Sequence, residues 1–176
     1  MDSSFYAGFM HPLMRPDHLL AMFAIGLWSF EQGKQLTLAL PILFIAMLTL
    51  GTILALCGVH IPFISANVAM VALVVGILIA TAKSIPVVLS LMIISICATL
   101  YGSEHIVTLP KEISVFDYGF GFLVATSLIN ALGVFTGQSV HHFLLKHKSE
   151  EELALRIGGT GIALAGGVIL TGLLSS

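Results

Sequence analysis

Charged side chains are scarce in this chain of 176 residues, and their scarcity excludes several classes of protein. Only 9% of the residues are charged, against about a quarter in an ordinary soluble domain. Seven basic and nine acidic side chains cannot coat a globule of 18.7 kDa, so a water-soluble enzyme is excluded. The few lysines and arginines, with a net charge of −2, also exclude a nucleic-acid-binding protein.

Cysteine is equally sparse, and two common catalytic motifs are missing. Cys57 and Cys97 both fall inside apolar runs, which excludes a disulfide scaffold and favours two small buried side chains. The sequence contains no phosphate-binding loop of the P-loop type, so we do not expect the chain to hydrolyse ATP. It also lacks the His-Glu-x-x-His pattern of a metalloenzyme helix, and we therefore predict that the protein is not an enzyme.

Long apolar runs are what the sequence has in abundance. Hydrophobic residues make up 57% of the chain, and its mean hydropathy is +1.06. A membrane-spanning helix needs about 20 mostly apolar residues, and six such segments follow one another without the alternation of a β-barrel. We predict an all-α polytopic membrane protein, a single domain over residues 1–176 that forms a six-helix transmembrane bundle with an irregular first segment. The predicted spans are about 5–30, 36–58, 64–82, 85–103, 117–140 and 157–174.

The positions of the basic residues predict the orientation of the bundle. Lysine and arginine accumulate in loops on the cytoplasmic side of a membrane. Five of the seven basic residues fall in the gaps after the first, third and fifth spans, and only Lys111 falls in a loop on the other side. We therefore expect these three gaps to face the cytoplasm of a bacterial inner membrane and both termini to lie outside. The five residues are Lys34, Lys83, Lys146, Lys148 and Arg156.

The first predicted span contains the densest cluster of ionisable residues. From His11 to His18 the chain holds four ionisable residues and two prolines in eight positions. On a helix His11 and His18 share a face two turns apart, and imidazole with the carboxylate of Asp17 suits nickel, cobalt, zinc or copper. The prolines predict that the helix is broken or begins late. The alternative is a loop at the membrane interface in which Asp17 caps a helix that starts near His18, and the residues alone favour neither interpretation.

A second polar cluster lies at the end of the fourth predicted span, on the same side of the membrane as the first. Tyr101, His105 and Thr108 are spaced four and then three residues apart, which puts them on one helical face, and Glu104 adjoins His105. The cluster is compatible with a metal pathway. Taken alone, it is more typical of a helix end that meets water.

Polar and small residues also mark the fifth and sixth predicted spans. Asn130 stands near the middle of the fifth span and needs a partner there. Gly133 and Gly137 have the spacing of small residues at a close helix contact, and the glycine-rich last span has the same composition. Three histidines near the end of the fifth span do not share one helical face, so we interpret them as exposed loop residues. They are His141, His142 and His147.

Three stretches of the sequence resemble one known family. Residues 9–29, from Phe9-Met-His-Pro to Gly-Leu-Trp-Ser29, are similar to the opening signature of the HupE/UreJ family. Residues 101–110 and 118–133 resemble the family's second histidine-rich motif and its fifth helix. The resemblance runs over the whole chain. It implies a small membrane permease for nickel or cobalt that is linked to the maturation of hydrogenase or urease.

The resemblance also implies a metal site. His11, Asp17, His18 and His105 stand where the family has its metal-site residues, and Glu104 adds an acidic residue that the family motif normally lacks. We expect these five side chains to bind the metal. Four other positions differ from the family pattern and are expected in the pathway or around the ligands. They are Arg15 in place of Gly, Tyr101 and Asn130 in place of His, and Thr108 in place of Glu.

Arg15 is the departure with the largest expected consequence. A fixed positive charge repels a metal cation, and a buried guanidinium needs a partner. Asp17 is near in sequence, but adjacent faces of a continuous helix would hold the two side chains apart. Glu104 is on the same side of the membrane, so we expect Arg15 to pair with Glu104 or Asp17.

Two functions follow from these observations. The first is a permease that takes a divalent cation from the outer side through the His/Asp/Glu site; nickel or cobalt is implied by the resemblance, and zinc is a further candidate. The second is a non-transporting subunit or assembly factor in which Arg15 and a carboxylate replace the metal. No permanently bound cofactor is expected. The expected partners are the lipid bilayer and the metal ion, with a second copy of the chain or a metalloenzyme-maturation protein, and not nucleic acid.

Overall fold

The computed structural model describes residues 3–59, 64–107, 113–144 and 148–175, without the side chains at 64, 65 and 104–107. The described part of the chain is all-helical, with seven helices and no strand, as the apolar runs predict. The helices are α1 (Ser3–Met14), α2 (Pro16–Glu31), α3 (Leu36–Leu56), α4 (Ile64–Thr81), α5 (Val87–Val107), α6 (Val115–Leu144) and α7 (Lys148–Leu174).

The first predicted span is two helices, which confirms the predicted break. Arg15 between them is extended, with φ −107° and ψ 107°, because the ring of Pro16 forces the preceding residue out of the helical region. Pro16 is the first residue of α2, where a missing backbone N–H leaves no hydrogen bond unmade. The alternative of an N-terminal loop is wrong, because the chain before Arg15 is helical. Asp17 does not cap α2 either, since the cap residue is Arg15 and it makes no side-chain cap hydrogen bond.

Helices pack in pairs through glycines. Both α1 and α2 lie against α6, α3 lies against α5, and α4 against α7. A Cβ atom on Gly26 of α2 would stand 2.1 Å from the carbonyl oxygen of Asn130 on α6, and one on Gly133 would stand 2.3 Å from that of Phe23. The backbones therefore touch at these positions. The predicted close contact at Gly133 is confirmed, and Gly137 lies against the side chain of Phe30.

The exterior of the bundle is apolar. Large hydrophobic side chains such as Phe116, Phe143 and Leu38 are exposed, which is the surface of a protein whose solvent is lipid. Among the described residues, three helices are long and apolar enough to cross a membrane: Leu36–Leu56, Val115–Leu144 and Lys148–Leu174. The apolar stretches Ala66–Thr81 and Val87–Ser103 are shorter. The chain is thus a helical membrane protein by composition, surface and helix length.

Three connections meet at one end of the bundle, which we call the basic end. The side chain of Gln32, after α2, donates to the carbonyl of Lys83 (3.3 Å) and accepts from the backbone N–H of Ile85 (2.8 Å), between α4 and α5. His141 on α6 contacts Glu151 on α7. The gaps that hold Lys34, Lys83 and Lys148 therefore share one end, as the orientation argument requires. We call the end that holds His11 and His18 the histidine end.

The charged stretch before the last predicted span is more helical than expected. α6 continues to Leu144 and α7 begins at Lys148, so His141 and His142 lie in the last turn of a helix and not in a loop, while His147 lies outside the described residues. The helix α7 begins early because Glu150 and Glu151 in its first turn interact favourably with the positive end of the helix dipole.

Candidate metal site

Two histidines from different helices meet at the histidine end. His11 lies near the end of α1 and His18 near the start of α2, and their Nε2 atoms are 3.3 Å apart. On a continuous helix, residues seven apart would be separated by about 10 Å along the axis. The contact between His11 and His18 therefore results from the break at Arg15. It does not result from the shared helical face that the sequence suggested.

Each imidazole has a polar group of another residue near its Nδ1. Nδ1 of His11 is hydrogen-bonded to the hydroxyl of Tyr118 on α6 at 2.8 Å. Nδ1 of His18 lies 3.3 Å from Oδ2 of Asp17, an ion-pair contact. Metal-binding histidines ordinarily have one nitrogen held by a carboxylate or hydroxyl and the other turned to the ion, and His11 follows this pattern. The two Nε2 atoms face each other at hydrogen-bonding distance, and a cation bound between them would replace that hydrogen bond.

The separation of the two nitrogens suits a single cation. Two nitrogen ligands at about 2.0 Å from a tetrahedral ion lie roughly 3.3 Å apart, and the Nε2 atoms of His11 and His18 have this spacing. Imidazole ligands suit zinc, copper, iron and nickel better than calcium or magnesium. Among the side chains that the structure describes, no three His, Cys, Asp or Glu residues form a ligand group, so the pair supplies two ligands.

The surroundings of the pair are dry and aromatic. His18 is 1% exposed and Asp17 4%. The buried ring of Tyr101 on α5 packs edge-on against His18, with the centroids 5.1 Å apart. The ring of Phe122 packs against His11 at 5.9 Å. Low polarity around the two rings strengthens any electrostatic interaction that they make with a cation.

Arg15 pairs with Asp17 and does so through two contacts. Its Nη2 lies 2.9 Å from Oδ2 of the carboxylate, and its Nε donates to Oδ1 at 3.1 Å. The expectation that helix geometry would hold the two side chains apart is wrong, because Arg15 is extended and its side chain folds back over the start of α2. The guanidinium is 45% exposed, so the pair sits at the surface of the site.

The remaining expected site residues are distributed over two helices. Glu104 and His105 belong to the last turns of α5, the helix that brings Tyr101 to His18, and their side chains lie outside the described residues, as does Thr108 altogether. Asn130 is away from the pair: it is 1% exposed in mid-α6, and its amide donates to the carbonyl of Thr126 at 2.9 Å.

Tyr118 is the contact that sequence reasoning missed. It lies in the first turns of α6, and its hydroxyl is the partner of His11. The available signal was position, since Tyr118 opens the fifth predicted span and the predicted topology puts that end of the span at the same end of the bundle as His11.

Apolar helices around a histidine pair, of which His18 is buried and His11 partly buried, define a helical membrane protein with a candidate cation site. The chain belongs to the HupE/UreJ family, whose model, described as HupE / UreJ protein, matches residues 1–169. It is similar to Protein HupE of Rhizobium leguminosarum bv. viciae, with 30% identity over 166 residues, which cover 94% of this chain and 84% of that one. No solved structure matches the chain.

Proposed function

We propose that this protein is a permease for a divalent transition-metal cation, nickel or cobalt, in the bacterial inner membrane. The observation that carries the proposal is the approach of the Nε2 atoms of His11 and His18 to 3.3 Å, with Nδ1 of His11 bonded to Tyr118 and Nδ1 of His18 near the carboxylate of Asp17. Imidazole nitrogens in a largely buried pocket favour a transition metal over the hard cations that carboxylates and water bind. Membership of the HupE/UreJ family supports the same assignment.

The permease crosses the membrane six times in this proposal, with both termini outside. α1 and α2 together make the first crossing, because α2 alone, with 16 residues, is about 24 Å long and the hydrocarbon core is about 30 Å thick. The basic end then faces the cytoplasm, in agreement with the positive-inside rule. The histidine end is the entrance.

Transport begins with capture of the hydrated ion at the histidine end. Asp17 supplies negative charge beside His18, and the imidazoles replace water ligands one at a time. Glu104 and His105, in the last turns of α5, complete the ligand set. The ion then passes along α6, where Asn130 is buried, towards the cytoplasm. No cofactor stays bound, and the ion gradient or a coupled ion drives the movement.

Uptake of nickel or cobalt by proteoliposomes tests the proposal. Wild-type protein is expected to carry the ion, and His11→Ala and His18→Ala to reduce uptake to the level of empty vesicles, because each removes one of two converging ligands. His11 is only partly buried, so His11→Ala keeps the test valid if His18→Ala fails to fold. His142→Ala, an exposed histidine at the basic end, is the control. Wild-type rates in both site variants would overturn the proposal.

The Arg15–Asp17 ion pair favours a second candidate function. The guanidinium of Arg15 makes two hydrogen bonds to the carboxylate of Asp17. The carboxylate is therefore less available to bind a cation. In a non-transporting subunit or assembly factor, this pair replaces the metal and the chain acts through a metalloenzyme-maturation partner or a second copy. Arg15→Gly separates the two functions: a permease restrained by Arg15 gains metal affinity, whereas a non-transporting subunit shows no uptake in either form.

A further inference from the structure

An apolar groove lies between α3 and α6 at the histidine end of the bundle. Its volume is about 330 Å³. On α3 its wall extends from Leu48 to Leu56, and on α6 it extends from Val115 to Leu123. Each stretch corresponds to about 12 Å of helix. The groove is therefore elongated and follows the helix axes for about two turns.

The groove exists because the helices on its two sides pack closely against other helices. A Cβ atom on Gly51 of α3 would stand 2.1 Å from the carbonyl oxygen of Thr99 on α5. One on Gly121 of α6 would stand 2.2 Å from that of Phe5 on α1. By contrast, an added Cβ on Gly119, which lines the groove, has no described atom within 4 Å. The two tight pairs thus leave a gap between α3 and α6.

The walls of the groove have no free polar group among the described residues. The hydroxyls of Thr49 and Thr52 donate to backbone carbonyls of α3 and α5, at 2.8 and 3.0 Å. The hydroxyl of Tyr118 is bonded to Nδ1 of His11. Water in the groove would find no hydrogen-bond partner, whereas an apolar cavity of about 150 Å³ already binds a molecule as large as benzene. An apolar occupant is therefore favoured.

The rim of the groove belongs to the surface that faces lipid. Ile53, Leu56, Phe116 and Phe120 line it and are exposed on the outside of the bundle. Hydrocarbon chains therefore surround the groove, and its walls gain dispersion contacts when a chain enters. Spread over 12 Å, its volume gives a mean cross-section of about 30 Å², and a helix about 10 Å across needs roughly 80 Å². The groove thus suits a single chain better than a helix of a second copy.

We propose that this groove binds an acyl chain of a membrane phospholipid and that the bound chain supports the wall of the histidine site. The second part rests on the proposed permease function and deepens it. Tyr118 and Phe122 line the groove, and both contact His11. The Tyr118 hydroxyl is 2.8 Å from Nδ1 of His11, and the ring centroids of Phe122 and His11 are 5.9 Å apart. The lipid chain therefore packs against the side chains that orient His11.

An empty groove would weaken this support. Atoms that line a void lose the dispersion contacts they would make with a neighbour, so the rings of Tyr118 and Phe122 are held less firmly and His11 is oriented less well. The effect acts through Tyr118, so it does not exceed the loss of an orienting hydrogen bond, about tenfold in metal affinity. Nickel binding is thus expected to depend on lipid to this extent.

Gly119→Leu replaces the lipid chain with a side chain of the protein. The position accepts a Cβ without a clash, and the rest of the leucine extends into the groove. An alanine there leaves the groove open, because its methyl group stays more than 4 Å from the described atoms around it. Gly161→Leu is the matched control, since Gly161 is exposed on α7, is also open to a Cβ, and lies outside the groove.

Native mass spectrometry tests lipid binding. Full-length protein from vesicles of dioleoyl phosphatidylethanolamine is transferred to a bile-salt detergent, whose rigid ring system is wider than an acyl chain. Wild type and Gly161→Leu are expected to retain one phospholipid per chain, and Gly119→Leu none. Absence of lipid from the wild type, or equal retention by Gly119→Leu, overturns the acyl-chain site. A dimer that Gly119→Leu dissociates also overturns it, because the groove is then an interface between copies.

Nickel titration of the same samples tests the link to the histidine site. Wild type washed free of lipid is expected to bind nickel up to about tenfold more weakly than the lipid-bound form, and added phospholipid to restore the affinity. Gly119→Leu is expected to bind nickel equally with and without lipid. Equal affinity in both forms of the wild type overturns the support of His11. Retained lipid without nickel binding in any sample overturns the permease and leaves the lipid site standing.

Discussion

The two ends of the bundle present opposite chemistry to an ion. At the histidine end, two imidazole nitrogens converge in a dry pocket walled by the rings of Tyr101 and Phe122. At the basic end, Glu31 and Glu151 line a cavity of about 680 Å³ that has room for water. Imidazole nitrogens at fixed positions suit a transition metal, whereas side chains around an open cavity present charge without fixed geometry. The two ends therefore differ both in the type of polar group and in how closely those groups are placed.

The largest expected effect comes from a change that disturbs both ends together. α2 carries His18 near its start and Glu31 at its end, and Gly26 between them touches the backbone of α6. In Gly26→Ala the new methyl group would stand 2.1 Å from the carbonyl oxygen of Asn130, so α2 must move away. We expect a loss of about 1–3 kcal/mol in stability, with reduced nickel binding at the histidine pair.

Thermal unfolding in detergent and nickel binding measure this effect. Gly119→Ala on α6 is the control, because a Cβ there has no atom within 4 Å. Unchanged unfolding temperature and binding in Gly26→Ala would mean that the helix contact does not position either end.

The next effect separates the ends. Asp17→Asn removes the charge beside Nδ1 of His18 and leaves Arg15 without its carboxylate. Loss of such an orienting carboxylate typically weakens metal affinity about 10–100-fold. We expect this loss at the histidine end, where nickel titration of Asp17→Asn is compared with that of the wild type. An affinity equal to that of the wild type would show that the carboxylate does not position His18.

A smaller effect is expected from the other orienting group. Tyr118→Phe removes the hydroxyl 2.8 Å from Nδ1 of His11 and leaves the packing of the ring intact. The hydroxyl is neutral, so we expect a fall in nickel affinity near the lower limit, about tenfold. Tyr6→Phe is the control, since Tyr6 is 60% exposed. An affinity in Tyr118→Phe equal to that of the control would show that α6 does not orient His11.

The smallest effect is expected at the surface of the basic end. Glu152 and Arg156 form an exposed ion pair one turn apart on α7. Such pairs contribute about 0.3–0.5 kcal/mol. Glu152→Gln should therefore leave the unfolding temperature almost unchanged and nickel binding at the histidine pair intact. A clear loss of nickel binding would show that the charge of Glu152 at the basic end contributes to it.

Much of the fold was predictable because apolar length is a local property of the sequence. The runs that became α3, α4 and α5 have nearly the predicted limits. The early start of α7 at Lys148 is not predicted from its charge, although glutamate and lysine are good helix formers and extend the helix ahead of the apolar run. Whether each helix crosses the membrane depends on the bilayer as well as on the chain.

The site was less predictable because its contacts depend on tertiary packing. The ring of Pro16 predicts a break, but the direction of the chain after the break follows from the docking of α1 and α2 on α6. The bidentate pairing of Arg15 with Asp17 and the contact between His11 and Tyr118 both result from that docking. A helical wheel drawn through the whole first predicted span treats it as one helix, so it predicts neither of these contacts.

The extended residue at position 15 makes the histidine pair sensitive to a helix angle. α1 contacts α6 at Gly8 and Gly121, whereas α2 contacts α6 at Gly26 and Gly133. The two histidines therefore lie on two separate helices that both pack against α6. His11 lies about 6 Å along the helix axis from Arg15, and a tilt of roughly 20° at that joint would carry it about 2 Å. Since the two nitrogens are 3.3 Å apart, such a tilt would take the pair out of reach of a single ion. A small rotation of α1 at this joint would therefore change the separation of the two imidazole nitrogens.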